Sequence, residues 1–175
     1  MLESRTLTVE LYDEVEIKKI KEGIIITCNK SFIPTDERNL AYKAARLFLD
    51  TYDIKSGVSI NIIKNIPVAA GLAGGSADAA AAIRMIVKLC HLDLSREELI
   101  EVGKKVGADV PFCIFNEPAY VNGIGEELEP FKINTDFNIL LVKPRRGVST
   151  SAAFSRLDLE KAVHPDCLKM RKALE

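Results

Sequence analysis

The chain has 175 residues and is 47% hydrophobic, enough to bury one full core and open a second. Its 24 basic and 25 acidic residues leave a formal charge of -1, which removes the electrostatic footprint of a protein that tracks nucleic-acid phosphates. No apolar run approaches the roughly 20 residues that cross a bilayer, the opening Met1-Leu-Glu-Ser-Arg lacks the order of a secretory signal, and Cys28, Cys90, Cys113 and Cys167 form no C-x-x-C pair. Those features predict a cytoplasmic protein with reduced thiols and neither a membrane nor a nucleic-acid partner.

In chain order, Leu7, Val9 and Leu11, then Val15, Ile17 and Ile20, then Ile24 to Ile26 alternate with polar residues and break at Asp13-Glu14 and Glu22-Gly23. This predicts antiparallel strands joined by tight turns. From Asp36 to Asp50, Leu40, Ala44, Leu47 and Phe48 fall at helical spacing, with Asp36 and Glu37 favouring the positive helix end. Val58, Ile60 and Ile62 predict a further strand, and the glycine-rich segment Gly71 to Gly75 leads from it into a helix starting near Ser76. That helix carries Ile83, Ile86, Val87 and Cys90 on one stripe, with Ala79 to Ala82 allowing close packing.

The next helix announces itself through Ser95 and Glu98, a capping box, with Leu94 placed to staple onto Leu99. Leu99, Val102 and Val106 face inward, Gly107 ends the helix, and Pro111 should hold Val110 out of helical geometry so that Phe112 to Phe115 runs as a strand. Asp109 then occupies a helix-to-strand corner. Asn138 to Lys143 predicts another strand, Pro144 to Thr150 a basic loop, and Ser151 to Glu175 a polar, mostly helical tail.

The richest chemistry lies in Pro67-Val-Ala-Ala-Gly71-Leu-Ala-Gly74-Gly75-Ser76-Ala-Asp78. Glycines let main-chain amides approach an anion, and the following helix adds free N–H groups and a positive dipole end, so phosphate is the expected guest. A tight turn against a packed alanine-rich helix would use similar residues. The segment is not a P-loop, because no lysine follows the last glycine, nor does it have the G-x-G-x-x-G spacing.

Pro67 to Ala81 resembles the phosphate-binding signature of the GHMP kinase superfamily. Arg38-Asn39-Leu40, Ala44 to Leu47, Gly107 to Phe112, Gly123 to Glu126, and Pro144 with Gly147 to Thr150 resemble, in the same order, its 4-diphosphocytidyl-2-C-methyl-D-erythritol kinase branch. The resemblance covers almost the whole chain. It implies an α+β fold: a two-layer domain like domain 2 of ribosomal protein S5 over residues 1–135, then the start of a second α+β domain over 136–175. It also implies an ATP-dependent kinase of non-mevalonate isoprenoid biosynthesis, which phosphorylates the 2-hydroxyl of a cytidine diphosphate-linked methylerythritol. Mg2+ would arrive with the nucleotide.

Residue by residue, the resemblance implies that Pro67, Val68, Ala69, Ala70, Gly71, Leu72, Ala73, Gly74, Gly75, Ser76 and Ala77 cradle the nucleotide phosphates. Asn39 and Leu40 would lie near the adenine, although Leu40 also fits a core stripe. Asp109 would take the proton of the acceptor hydroxyl; an isolated aspartate before Val-Pro would otherwise cap a turn. Gly123, Ile124 and Gly125 would meet the cytosine and Phe154 would stack on it. Ser76 suits a helix cap and could also touch phosphate or magnesium, whereas Ala77 stands where the family has a second serine. Asp78 either faces away from the phosphate or reaches magnesium. Lys143, Arg145 and Arg146 could meet a diphosphate or line a solvated loop. His91 and His164 have no partners at ligand spacing, so no protein-built metal site is expected.

The family's A-K-I-N-L, D-G-Y-H and C-terminal G-T-G motifs are absent from the sequence. Weak turnover, or nucleotide binding without turnover, is the corresponding expectation, with other hydroxylated substrates such as mevalonate or homoserine as alternatives. The oligomeric state is left open between monomer and homodimer.

Overall fold

The computed structural model describes residues 4–123, 127–134 and 137–143, together with isolated positions between 152 and 173. Six strands and four helices are defined: β1 (Ser4–Thr6), β2 (Glu14–Ile20), β3 (Ile24–Cys28), α1 (Leu40–Thr51), β4 (Gly57–Ile63), α2 (Gly74–Leu89), α3 (Arg96–Val106), α4 (Val110–Phe115), β5 (Ala119–Asn122) and β6 (Glu127–Pro130). They form two three-stranded sheets, β2-β4-β3 and β1-β5-β6.

The first sheet forms one layer and the helices the other. Val58, Ile60 and Ile62 on β4 are buried, as are Ile17 on β2 and Ile26 on β3, while Ser59, Asn61 and Ile63 between and after them on β4 are half-buried or exposed. A strand that buries one face presents a residue to the core at every second position. Against that face pack α1 and α2, with α1 against β3 and α2 against β2. Six of their eight alanines, Ala41, Ala44, Ala45, Ala79, Ala80 and Ala82, are fully buried. Small side chains bring these helices close, and Phe48, Ile83 and Ile86 fill the space left between helices and sheet. The α+β class with two layers is as the resemblance implied.

Several local expectations differ. The opening strands do run in opposite directions, but β2 and β3 do not pair: β4 sits between them, antiparallel to β2 and parallel to β3. The most buried strand of the sheet takes the centre, where its ladder groups are satisfied on both sides. Leu7 to Leu11 form no strand; the first strand lies earlier, and Ser4 to Thr6 pair with Val121 to Ala119. Asp36 and Glu37 lie outside α1. Asp36 binds the Arg38 guanidinium instead, with Nη2 2.7 Å from Oδ2.

Phe112 to Phe115 belong to a helix, not a strand, because Pro111 lies in the first turn of α4, where a missing N–H breaks no intrahelical bond. Asn138 to Lys143 form no strand, for no neighbouring strand supplies ladder partners among the described residues; Leu140 and Val142 stay largely exposed. The β5–β6 hairpin was not anticipated, although Asn122-Gly123 is a hairpin-turn dipeptide and Gly123 adopts φ 69°. The capping box at Ser95 and the end of α3 at Gly107 are as read, and Val102 is buried.

Candidate functional site: an open glycine loop over a buried ion cluster

Between β4 and α2 the main chain turns through three left-handed residues, Ala69 (φ 52°), Gly71 (φ 69°) and Ala73 (φ 51°). Left-handed geometry costs an L-residue about 1–2 kcal/mol, so alanine at two of these positions is strain retained in the loop. Alternation of left- and right-handed residues turns successive N–H groups toward one side, the geometry of an anion nest. The N–H groups of Asn65 and Ile66 before the loop, and of Ala77 after it, have protein acceptors. Among the described residues, none from Val68 to Ser76 meets an acceptor at bonding distance and angle.

The helix that follows opens two residues earlier than expected, at Gly74. Its N-cap is Ala73, which has no side chain able to accept a bond, so Ser76 is not the cap; it lies buried in the first turn. Space explains Gly74, but not Gly75. A Cβ on Gly74 would come within 3.0 Å of Ile66 Cγ2 and 3.2 Å of Lys64 Nζ, while one on Gly75 would meet Leu40 Cδ1 at 3.6 Å. Leu40 thus borders the exit of the loop. Asn39 caps α1: its Oδ1 accepts from Ala41 N at 2.9 Å and its Nδ2 donates to Pro34 O at 2.8 Å. Its side-chain amide is committed to holding that corner.

Beneath the loop lies a cluster that the sequence reading missed. Lys64 Nζ donates to Asp78 Oδ2 at 2.8 Å and also to Asp13 Oδ2. All three side chains are at most 6% exposed. Asp13 Oδ1 accepts from Asn65 N at 2.6 Å and Ile66 N at 2.8 Å, and Asn29 Oδ1 accepts from Lys64 N at 2.8 Å. Burial alone would raise Asp13, but Lys64 and those two amides outweigh it and hold the carboxyl below its ordinary 3.8. For Asp78 burial dominates, Lys64 offsets only part of it, and the carboxyl is pushed up to about 7. Lys64 itself is raised: desolvation would lower it, and its two carboxylate partners win. Asp78 Oδ1 is buried with no hydrogen-bond partner. A lysine in the middle of a sequence window says nothing about burial; the usable signal was Asp78 in a helix whose neighbours are all alanine.

Asp109 is exposed just before α4, makes no side-chain cap bond, and joins no ion pair among the described residues. It is therefore not a turn-capping aspartate. Its carbonyl accepts from Cys113 N at 3.1 Å, and Arg84 of α2 donates to Cys113 O at 2.8 Å, which ties α4 to the glycine-loop helix. Burial, followed by the charge of Asp109, pushes the Cys113 thiol up to about 12, with a smaller push from Asp78. That thiol is inert at neutral pH.

Of the other expected positions, Pro67, Val68, Ala70, Leu72 and Ala77 are half-buried around the loop, and Gly123 sits at the end of β5. Ile124, Gly125, Phe154, Arg145, Arg146 and His164 lie outside the described residues. No group of three or more His, Cys, Asp or Glu side chains among the described residues could hold a metal, and no helix among them is long and apolar enough to cross a membrane.

The profile of the GHMP kinases N terminal domain matches residues 39–117, from the cap of α1 to the end of α4. Over 96% of its length the chain is 52% identical to a 4-diphosphocytidyl-2-C-methyl-D-erythritol kinase of Clostridium botulinum (strain Kyoto / Type A2). This chain belongs to the GHMP kinase family. A second GHMP relative of the same name, from Clostridium novyi (strain NT), is 51% identical over all of the chain. The crystal structure of a 4-(cytidine 5'-diphospho)-2C-methyl-D-erythritol kinase superposes on 93% of the chain with a TM-score of 0.72 and 26% identity, covering 57% of that structure. The chain spans 60–63% of the length of these two curated relatives.

Proposed function

We propose that the chain is the nucleotide-binding part of an ATP-dependent kinase that phosphorylates the 2-hydroxyl of 4-diphosphocytidyl-2-C-methyl-D-erythritol. The observation that carries this reading is the run of main-chain N–H groups from Val68 to Ser76 that meet no protein acceptor, in a loop with left-handed residues at Ala69, Gly71 and Ala73 before a helix start. Such donors hold the oxygens of a polyphosphate without a lysine in the loop. ATP supplies the phosphoryl group and brings Mg2+ with it, the Ser76 hydroxyl and the loop amides being the groups of this chain nearest the phosphates. Leu40 borders the same loop, and in this reading it lies with Asn39 on the adenine side.

Phosphoryl transfer asks little covalent chemistry of a protein and depends on alignment and charge. In this reading Asp109, an exposed carboxylate with no ion-pair partner among the described residues, accepts the hydroxyl proton as the oxygen attacks. Gly123, Ile124, Gly125 and Phe154 take the cytosine. Residues 1–135 form the nucleotide-binding domain and 136–175 open the one that follows, and the reaction takes place in the cytoplasm.

A coupled assay following ADP release under saturating substrate and magnesium tests the proposal. Turnover above blank is expected, falling about 10²- to 10⁴-fold in Asp109→Asn while ATP affinity stays within about twofold. Cytidine diphosphate should compete with substrate. Turnover untouched by Asp109→Asn removes the assigned base, and failure of cytidine diphosphate to compete points to a GHMP kinase with another hydroxylated substrate. Nucleotide binding without ADP release means a binding module only.

A further inference from the structure

We propose that Lys64, gripped between Asp13 and Asp78, is a positioning residue for phosphate binding: it fixes the first turns of α2 and thereby aims the donors of the glycine loop. The inference rests on the phosphate reading above and goes on to say what orients that loop.

Three observations lead to it. The start of α2 lacks what usually fixes a helix start, since Ala73 offers no side-chain cap. The Lys64 ammonium lies directly under that start, 3.2 Å from where a Gly74 Cβ would be, and binds Asp78 one turn further along the helix. Through Asp13, whose other oxygen takes the N–H groups of Asn65 and Ile66, the same ammonium is bolted to the segment entering the loop. Entry and exit of the loop are thus joined through one cation.

Stability alone is a poor reason for such a cluster. A buried ion pair gives little over an apolar replacement of equal volume, because desolvation offsets most of the attraction. Here one carboxylate oxygen, Asp78 Oδ1, is left without any partner. What the cluster supplies that leucines could not is direction: hydrogen bonds of fixed length at both ends of a loop whose own donors must stay free.

The test uses the chain as it stands, titrated calorimetrically with magnesium and a non-hydrolysable ATP analogue, with amide exchange read at Ala77 to Ala80, the N–H groups bonded in the first turns of α2. Lys64→Met alone leaves buried carboxylates facing each other and is prone to unfold. The variant of choice is Lys64→Met with Asp78→Asn, which removes the cation and the Asp78 charge while Asp13 keeps its two amide donors. It should stay folded, bind the analogue about tenfold more weakly, and exchange faster at Ala77 to Ala80. Asp78→Asn alone keeps an oxygen for Lys64 and should bind within about threefold of the parent. Val102→Ala, on α3, provides a destabilised control with unchanged affinity. A folded double variant with parental affinity and exchange overturns the proposal. Should the parent chain bind no analogue, the phosphate reading fails, and exchange decides the positioning question: faster at Ala77 to Ala80 than in Val102→Ala supports it, and equal rates overturn it.

Discussion

Two helix starts in this molecule solve the same problem in opposite ways. At α3 the loose N–H groups are closed off locally: Ser95 Oγ accepts from Glu98 N at 3.2 Å, and the Glu98 carboxylate returns to Ser95 N at 2.8 Å. At α2 nothing closes them. Ala73 is left-handed, no side chain caps, and the donors of the preceding loop stay open. A finished helix end serves stability; an open one serves a guest, and its placement has to be secured from below.

The largest effect that would break this contrast is expected at Lys64. Lys64→Met should destabilise the fold by about 3–5 kcal/mol, read by urea or thermal unfolding, because Asp13 and Asp78 remain buried without their cation.

Next comes pH. Asp78 is raised from 3.8 to about 7, so the folded state holds a proton that the unfolded state releases, and its contribution to stability is lost progressively as pH rises from 3.8 to about 7. Asp13 is lowered and acts in the opposite sense, its contribution being present above 3.8 and lost as pH falls through its folded value. Asp78→Asn should flatten the decline toward neutral pH and leave the acid limb, a result that melting temperatures across pH 4 to 8 would establish.

At α3, Ser95→Ala should cost about 1 kcal/mol in unfolding free energy and leave nucleotide affinity alone, because that cap faces no guest. The smallest change sharpens the contrast most. Ala73→Gly should stabilise the fold by up to about 1 kcal/mol by relieving left-handed strain, and should weaken nucleotide binding by loosening the loop; paired melts and titrations would show both.

The same contrast separates what the sequence could reveal from what it could not. Capping at α3 was legible because the reciprocal bonds join residues three apart. The glycine loop was legible as a strand-to-helix turn because its glycines are what such tight backbone geometry requires. The start of α2 was misread because a serine within reach of a helix end is normally its cap, and a left-handed alanine in that role has no compositional mark. The Asp13–Lys64–Asp78 cluster joins residues far apart in sequence, and nothing local distinguishes them from surface charges. Phe112 to Phe115 read as a strand because a short apolar run has no period of its own; only its packing against α2 and α3 decides for a helix.

The pairing of β1 with β5 sets an order of events at the ribosome. Ser4 meets Val121 and Thr6 meets Ala119, so β1 cannot pair with β5 until the helical layer between them has been synthesised. Closing so wide a loop comes late and slowly. Folding of α1, α2 and the β2-β4-β3 sheet can therefore finish first, with the β1–β5 ladder closing as a later step.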